Sequence, residues 1–320
     1  MAVYTQISND DIDFLLTKYR LGERQSCTPI AAGINNTNYL LTTDQNQYIL
    51  TIVEEFSPGK EALPYIISLM KHLHKHDIPC PRVITDKHGQ SVQKLQGKPA
   101  LILSFLTGAE PQPIIPTHCA ALGDMLAQMH QASQSFSQTR ENPWSIPNLL
   151  ATKETHLKNA AKFQPELPEL LEQHFDNLEK HWPIHLPQGG IHADLFPDNT
   201  LFTDDKLTGL IDFYLSAQDI LAYDLAICIN AWCFDDHKSL NRDKVTALLS
   251  AYQNRQKLTQ DEIDQLQILH QGAAMRFLLS RLDEWTSKPE DALVIPHNPQ
   301  DYIDRLLYHT NNDIREWMKA

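Results

Sequence analysis

The segment GIHADLFPDNTLF, residues 190–202, constrains the fold of this chain more than any other. It places a histidine, two aspartates and an asparagine among apolar residues, where a plain strand and turn would need none of them. The next residues predict a tight hairpin, with strands at 200–202 and 207–211 around the turn Thr-Asp-Asp-Lys. Asp212 follows this predicted hairpin directly.

Asn199 lies five residues after Asp194, and Asp212 lies thirteen residues further on. This spacing is typical of the catalytic loop of kinases. We predict that Asp194 accepts the proton of a substrate hydroxyl, and that Asn199 and Asp212 supply oxygen ligands to one or two Mg²⁺ ions bound with ATP. We expect His192 and Asp198 to hold the shape of the loop by hydrogen bonds.

Simpler interpretations apply to parts of this pattern. A single His-x-Asp is more often an ordinary turn, and aspartates in a hairpin turn are often surface caps, as we predict for Asp204 and Asp205. His-x-Asp also occurs in metallohydrolases, but no second histidine cluster accompanies it here. The three residues at this spacing, with a hairpin between them, favour the kinase interpretation.

The order of predicted elements indicates an α+β chain with two lobes. We predict a small β-rich lobe over residues 1–106, a hinge near 103–108, and a larger, mainly helical lobe over residues 107–320. Predicted strands cover 27–31, 39–42 and 48–53, and a helix is predicted to follow Pro64. The first predicted helix covers 8–19 and opens with an acid-rich turn that predicts an N-terminal cap. Further predicted helices cover 148–181, 222–232, 243–253, 261–285 and 299–317.

The first two predicted strands are joined by a short polar segment with one glycine. In a kinase, the loop at this position covers the ATP phosphates through its backbone N–H groups. A polar β-turn is the simpler interpretation. The predicted nucleotide-binding residues here are Gly33, Asn35, Asn36, Thr37 and Asn38, and the hinge residues Ser104, Phe105 and Leu106 are predicted to bond the adenine edge through their backbone.

Composition excludes several partner classes. With 27 basic and 40 acidic residues, the net charge of −13 repels nucleic acid and anionic membranes. The N-terminus lacks a basic region followed by an apolar run, so we expect no signal peptide. Five scattered cysteines without Cys-x-x-Cys spacing favour reduced thiols and a cytoplasmic protein.

Over nearly its whole length the sequence resembles the aminoglycoside-phosphotransferase-like kinases, and among them the bacterial homoserine kinases. The segments that carry the resemblance are MAVYT, NNTNYLL, YILTI, GIHADLFPDN, GLIDFY and AYDLAICINAWCF. The resemblance implies a protein-kinase-like fold, ATP with Mg²⁺, and phosphorylation of the side-chain hydroxyl of L-homoserine, a step that leads to threonine.

One position departs from the wider kinase pattern. The third strand normally carries a lysine that binds the α/β-phosphates and pairs with an acid on the next helix. Here Thr51 takes its place, and no acid occurs between Glu61 and Asp77. The homoserine kinases share this strand, so the departure does not imply an inactive enzyme. We expect loop amides and Mg²⁺ to hold these phosphates, with Lys60 as a second candidate.

Acceptor recognition is predicted from isolated charges. Arg276, in the apolar segment GAAMRFLLSRL, is predicted to bind a carboxylate, whereas Arg281 is predicted to form a surface ion pair. Asp219 or Asp224 is predicted to bind an ammonium group, although Asp224 fits a helix N-cap equally well. Further pocket candidates, each of which could instead belong to the core, are Tyr214, Asn230 and Trp232.

Three alternatives remain open. The acceptor could be another small alcohol, such as choline, ethanolamine, hydroxylysine, methylthioribose or an aminoglycoside. Thr51 would also suit a non-catalytic nucleotide-binding protein with a kinase fold, although such a protein has no use for the full Asp194, Asn199 and Asp212 set. A protein substrate is disfavoured, since a helix follows Asp212 within about ten residues and leaves no long activation segment. The sequence does not indicate the oligomeric state.

Overall fold

The computed structural model describes residues 4–30, 36–54, 59–236, 238–287 and 297–319. These residues form two compact units. The first contains Met1–Gly108 and Thr208–Tyr214, and the second contains Ala109–Leu207 and Leu215–Ala320.

The first unit is built on an antiparallel sheet. Its strands follow the order β1-β2-β3-β6-β4, and β5 pairs with β6 outside this path. The strands are β1 (Arg24–Ile30), β2 (Thr37–Thr43), β3 (Gln47–Ile52), β4 (Val83–Ile84), β5 (Gln93–Leu95) and β6 (Lys98–Ser104), and the helices are α1 (Asn9–Leu16) and α2 (Gly59–Lys75). The three predicted N-terminal strands are therefore confirmed, whereas the two-residue β4 was not predicted.

The two faces of this sheet have different neighbours. Thr51 of β3 pairs with Asn38 of β2 and with Leu101 of β6, while the next residue, Ile52, pairs with Thr37. Since side chains alternate along a strand, Thr51 and Ile52 point to opposite faces. The face of Ile52 packs against α1, and the face of Leu101 packs against α2. Helix α1 begins with a capping box between Ser8 and Asp11, so the predicted N-terminal cap is confirmed.

Helix α2 begins earlier than predicted. It starts at Gly59 and contains Pro64, which was expected to precede it. The buried side chains of Leu63 and Ile67 lie four residues apart on one helical face, so packing against the sheet extends the helix through the proline. The proline removes one backbone donor but lies in the second turn, where the loss is small compared with this burial.

The second unit is mainly helical. The predicted single helix over residues 148–181 is wrong, because the chain breaks at Thr152 and again at Gln164, which is extended before Pro165. The last predicted helix ends at Asn311, before a 3-10 segment at Ile314–Lys319. The helices are α3 (Pro116–Ser133), α4 (Ile146–Ala151), α5 (Lys153–Phe163), α6 (Leu167–His181), α7 (Leu221–Trp232), α8 (Arg242–Arg255), α9 (Gln260–Ser287) and α10 (Gln300–Asn311).

Helices α3 and α8 approach each other closely at Gly123. A Cβ atom at this position would lie 2.2 Å from the backbone oxygen of Leu248, so only glycine permits the contact. Across the ranges that the structure describes, no helix is long and apolar enough to cross a bilayer.

Two short strand pairs frame the polar segment. Strand β7 (Gln188–Ile191) runs antiparallel to β10 (Ala217–Ile220), a pairing that was not predicted. Strands β8 (Thr200–Thr203) and β9 (Lys206–Leu210) form the predicted hairpin. The chain therefore enters the polar segment from β7 and leaves it into β8.

Candidate functional site

The turn that follows β7 holds Asp194 in place through a strained backbone. Ala193 adopts a φ of 65°, a left-handed conformation that is unfavourable for a residue with a Cβ atom. The carboxylate of Asp224 accepts the backbone N–H of His192 at 2.8 Å and that of Ala193 at 2.9 Å. Because these groups are buried, the two hydrogen bonds satisfy donors that water cannot reach, and they stabilise the strained turn.

Asp224 is itself the start of a buried chain of polar groups. Its Oδ2 atom lies 3.1 Å from Nε2 of His130, and Nδ1 of His130 lies 2.9 Å from the hydroxyl of Tyr252. All three side chains are fully buried. Burial alone would raise the pKa of Asp224, but hydrogen bonding to His130 and the nearby histidine charges hold this pKa below its usual value.

Both predictions for Asp224 are therefore wrong. The N-cap of α7 is Ile220, and Asp224 lies inside the first turns of the helix rather than at its cap. Its carboxylate is inaccessible and accepts backbone N–H groups, so it is not available to bind a substrate ammonium. The sequence offered one signal for this role that we missed: a histidine, His130, lies four residues after Leu126 and so shares its apolar face of α3.

The side chains of Asp194 and Asn199 are linked. Asn199, in the 3-10 turn Pro197–Asn199, donates its amide nitrogen to the backbone oxygen of Asp194 at 2.8 Å and to its Oδ2 atom at 3.3 Å. The amide oxygen of Asn199 is consequently the atom that remains to face a hard cation. Asp194 itself is half-buried, with 23% of its side chain exposed.

Arg276 lies beside Asp194. Its Nη1 atom is 3.6 Å from Oδ1 of Asp194, and its guanidinium lies 3.7 Å from the ring centre of Phe277 and 5.8 Å from that of Trp144. Arg276 is only 2% exposed, yet Nη1 has no hydrogen-bond partner within the described ranges. The ion pair with Asp194 compensates the charge, but a buried N–H group that makes no hydrogen bond is costly, so the geometry favours an anionic ligand at this position.

Arg281, five residues further along α9, has a different environment. It forms an ion pair of 2.9 Å with Asp301 and donates to the backbone oxygen of Asn298. The predicted ion pair of Arg281 is confirmed. Unlike Arg276, Arg281 is bonded to groups outside the candidate site.

Asp219 lies on the wall of a cavity of about 240 Å³ in the second unit. It accepts a hydrogen bond of 2.7 Å from Asn142, and burial raises its pKa. Glu141 and Trp182 also line this cavity. Asp219 therefore lies beside a cavity of ligand size, and its binding of an ammonium group stays a prediction.

Asn230 and Trp232 do not line a pocket. Both are fully buried. Asn230 donates to the backbone oxygens of Ala226 and His270 and accepts from His309, whereas Trp232 donates to the backbone oxygen of Leu195 at 2.9 Å. Their predicted contact with the acceptor is wrong, because every polar group is used inside the core.

The loop-support predictions are corrected in part. Asp198 is exposed, and no side-chain hydrogen bond joins it to the described part of the chain, so its predicted role in holding the loop is wrong. His192 is fully buried, and its backbone N–H binds Asp224. Asp224, rather than Asp198, holds the catalytic turn, because its carboxylate accepts the backbone N–H groups of His192 and Ala193.

In the first unit, the predicted nucleotide-binding segment is described from Asn36 onward; Gly33 and Asn35 lie outside the described residues. Thr37 is fully buried, and its hydroxyl donates to Oε1 of Glu54 at 2.6 Å and accepts from the backbone of Tyr4 and Thr5. The side chain of Asn36 accepts the backbone N–H of Glu54. The Thr37 hydroxyl is therefore engaged within the first unit, and nucleotide binding by this residue stays a prediction for its backbone N–H.

Thr51 stands where kinases carry a lysine, and its side chain is occupied. It is 2% exposed and donates to Oδ1 of Asn38 at 2.7 Å. A hydrogen bond also joins it to Tyr214, whose pKa is raised by burial and by the charge of Asp212. Tyr214 packs on the sheet cluster around Leu101 in the first unit, and its place in the acceptor pocket stays a prediction.

Asp212 belongs to the same unit. It adopts a φ of 61° and is half-buried, and it lines a small cavity with Tyr214 and side chains of α2 and β6. Lys60 lies in α2, but its side chain is outside the described residues.

At the predicted hinge, Ser104 is bound within the sheet. Its backbone N–H donates to the backbone oxygen of Arg82, and its hydroxyl accepts the N–H of the same residue. For the backbone groups of Phe105 and Leu106, no hydrogen bond is found to any residue of the described ranges. These groups, unlike those of Ser104, are therefore suited to bind the edge of a base.

Comparison with known proteins agrees with this arrangement. Residues 26–258 match the model of the phosphotransferase enzyme family, APH. The chain is 43% identical over 315 residues to a homoserine kinase of Paramagnetospirillum magneticum, covering 97% of this chain and 96% of the relative. It is 44% identical over 311 residues to a homoserine kinase of Rhodopseudomonas palustris, covering 97% and 95%.

Among solved structures, the chain resembles an amicoumacin kinase in complex with AMP-PNP, Ca²⁺ and Ami. The TM-score is 0.71 at 13% identity, with 96% of this chain and 95% of that chain covered. At this identity the similarity concerns the fold alone. It confirms the predicted α+β, protein-kinase-like fold class.

Proposed function

Because the chain belongs to the phosphotransferase enzyme family and, within it, to the homoserine kinases, we propose that it transfers the γ-phosphoryl group of ATP to the side-chain hydroxyl of L-homoserine. The products are ADP and O-phospho-L-homoserine. The observation that carries the acceptor assignment is the position of Arg276. Its guanidinium is buried, and its Nη1 atom lies 3.6 Å from Oδ1 of Asp194 but makes no hydrogen bond to a described residue. A carboxylate-bearing alcohol would satisfy this nitrogen and present its hydroxyl to Asp194.

Asp194 acts as the proton acceptor in this proposal. The hydroxyl oxygen of the substrate forms a bond to the γ-phosphorus while the bond to the bridging β–γ oxygen breaks, and ADP leaves with the electron pair of that bond. The hydroxyl proton passes to Asp194. The hydrogen bonds from Asn199 and the anchored backbone at Ala193 hold the carboxylate in position for this transfer.

Asn199 and Asp212 are the proposed magnesium ligands. An amide oxygen and a carboxylate are hard oxygen donors, and the amide nitrogen of Asn199 is already bonded to Asp194, which leaves its oxygen for a cation. When bound, Mg²⁺ would offset the negative charge of the phosphates.

Arg276 and Asp219 are the proposed groups for the ends of the amino acid. Arg276 would bind the carboxylate, since a guanidinium matches its planar geometry. Asp219 is the remaining candidate for the ammonium group, because Asp224 is committed to the backbone of the catalytic turn.

The nucleotide is assigned to the residues of the predicted β-rich lobe, 1–106. The backbone groups of Phe105 and Leu106 would bind the adenine edge, and Asn36 and Asn38 belong to the segment proposed to cover the phosphates. Thr51 is neutral and its hydroxyl is bonded to Asn38, so we assign it no ionic contact with the phosphates. The acceptor is assigned to the lobe of residues 107–320. We place the reaction in the cytoplasm, in keeping with five free cysteines, with no nucleic-acid or membrane partner.

The test is an assay of ADP release with Mg-ATP against a panel of acceptors: L-homoserine, D-homoserine, L-serine, choline, ethanolamine, methylthioribose and kanamycin. Turnover with L-homoserine far above the others is expected. Preferential turnover of another alcohol would keep the phosphotransferase assignment and refute the acceptor. Binding of Mg-ATP without turnover of any acceptor would instead support a non-catalytic nucleotide-binding protein.

A further inference from the structure

Glu54 is a buried carboxylate in the first unit that the proposed reaction does not use. It follows β3 and is only 2% exposed. Its Oε1 atom accepts the hydroxyls of Thr5 at 2.8 Å and Thr37 at 2.6 Å, and its Oε2 atom accepts Nζ of Lys98. Its backbone N–H donates to the side chain of Asn36. We call Thr5, Thr37, Glu54 and Lys98 the Glu54 cluster.

This cluster does not replace the missing strand lysine. Lys98 lies three residues before Leu101, the β6 partner of Thr51, so Lys98 and Leu101 point to opposite faces of the sheet. Thr37 pairs with Ile52 and shares its face, again opposite to Thr51. The only charged pair at this end of the described sheet therefore lies on the face away from Thr51 and Asn38.

The cluster instead holds the start of β2. Thr37 is the first residue of that strand, and Asn36 is the last residue of the proposed phosphate-covering segment before it. Both are bonded to Glu54, and the N-terminal residues Tyr4 and Thr5 donate their backbone N–H groups to the Thr37 hydroxyl. These contacts give Tyr4 and Thr5 a structural role, whereas the proposed reaction assigns them none.

Resting on the proposed function, we propose that the Glu54 cluster is a positioning device for the nucleotide: it fixes Asn36 to Asn38 in the orientation that binds the ATP phosphates. A chain with Thr51 in place of the strand lysine lacks the charged contact that this lysine makes to the phosphates, so the fixed geometry of the segment contributes a larger share of nucleotide affinity. Although burial raises the pKa of Glu54, the hydrogen bonds from Lys98, Thr37 and Thr5 outweigh it and lower this pKa, so the carboxylate stays charged.

Lys98→Met and Thr5→Val test this inference. Lys98→Met removes the charge that compensates Glu54, and Thr5→Val removes one hydroxyl donor at constant shape. Lys94→Met is the matched control, since Lys94 is exposed on β5, beside β6. The measurements are the Kd of Mg-ADP by calorimetry, KM for ATP and for L-homoserine, kcat, and Tm.

We expect Lys98→Met to raise the Kd of Mg-ADP and the KM for ATP about 10-fold, equivalent to about 1.4 kcal/mol. Thr5→Val should raise both about 3-fold, and KM for L-homoserine should not change in either variant. A lower Tm with unchanged ADP affinity in Thr5→Val would show that the cluster only stabilises the unit and would overturn the inference. If Lys98→Met fails to fold, Thr5→Val decides the question alone.

The two proposals fail separately. Wild-type protein that binds Mg-ADP without phosphorylating L-homoserine would refute the acceptor, while the calorimetric comparison would still decide the role of the cluster. Wild-type protein that phosphorylates L-homoserine, with the same ADP affinity in all variants, would refute the cluster alone.

Discussion

The carboxylate of Asp224 accepts the backbone N–H of Ala193, a residue held at a φ of 65° immediately before Asp194. A buried side chain from α7 thereby stabilises the strained turn that presents the proposed proton acceptor. The strain is local, whereas the group that offsets it is 31 residues away in the chain.

Asp224→Asn should destabilise the protein and reduce kcat together. The amide leaves one of the buried backbone N–H groups of His192 and Ala193 without an acceptor, which costs about 1–3 kcal/mol of the free energy of unfolding at pH 7. Asp243→Asn, an exposed acid in the first turn of α8, should change this free energy by less than about 0.5 kcal/mol. Urea unfolding measures both, and an unchanged free energy in Asp224→Asn would contradict the anchoring role.

The lowered pKa of Asp224 predicts that the free energy of unfolding decreases at acid pH. Its pKa in the folded state is held below the value of 3.8 that an ordinary aspartate shows. Its contribution to stability is therefore present above that value and is lost as the pH falls through the lower folded pKa. Below about pH 4, wild-type stability should fall more steeply with pH than that of Asp224→Asn. Parallel curves in unfolding measurements across this range would exclude the linkage.

Asp194→Asn should lower kcat by a factor on the order of 10²–10⁴, because the amide cannot accept the hydroxyl proton as a carboxylate does. The KM for ATP should change little. Asp204→Asn, in the exposed hairpin turn, is the control and should keep wild-type turnover. Steady-state kinetics with L-homoserine separate the two, and near-normal turnover in Asp194→Asn would remove this residue from the mechanism.

Arg276→Ala should raise the KM for L-homoserine about 30-fold, since a charged hydrogen bond is worth about 2 kcal/mol. Its KM for ATP should stay near the wild-type value. Arg281→Ala removes an arginine of the same helix whose partner is Asp301, and it should leave both KM values unchanged. If the two variants behave alike, Arg276 does not bind the acceptor carboxylate.

Thr51→Lys should not restore a kinase-type phosphate contact. Thr51 is buried and bonded to Asn38, and the helix that would supply an acidic partner has no acid beyond its first turn. The unpaired lysine should lower the free energy of unfolding by at least about 2 kcal/mol without lowering the KM for ATP. Thr51→Ser, which keeps the hydroxyl, is the control. A gain in ATP affinity in Thr51→Lys would show that the missing lysine limits nucleotide binding.

The sequence by itself determined the features that depend on neighbouring residues. The N-terminal strands, the β8–β9 hairpin and the capping box of Ser8 follow from local alternation, turn composition and spacing. The spacing of Asp194 and Asn199 likewise placed both in one turn, where the structure joins them by a hydrogen bond.

Only the tertiary structure decided which polar groups remain available for chemistry. Asp224, Asn230 and Trp232 have the composition of a polar pocket, but burial commits each of them to core or backbone partners. Helix α9 brings Arg276 beside Asp194, 82 residues earlier in the sequence, and leaves one of its nitrogens without a hydrogen bond to any described residue. Such assignments depend on which distant groups share a low-dielectric interior, and local sequence patterns carry no information about that.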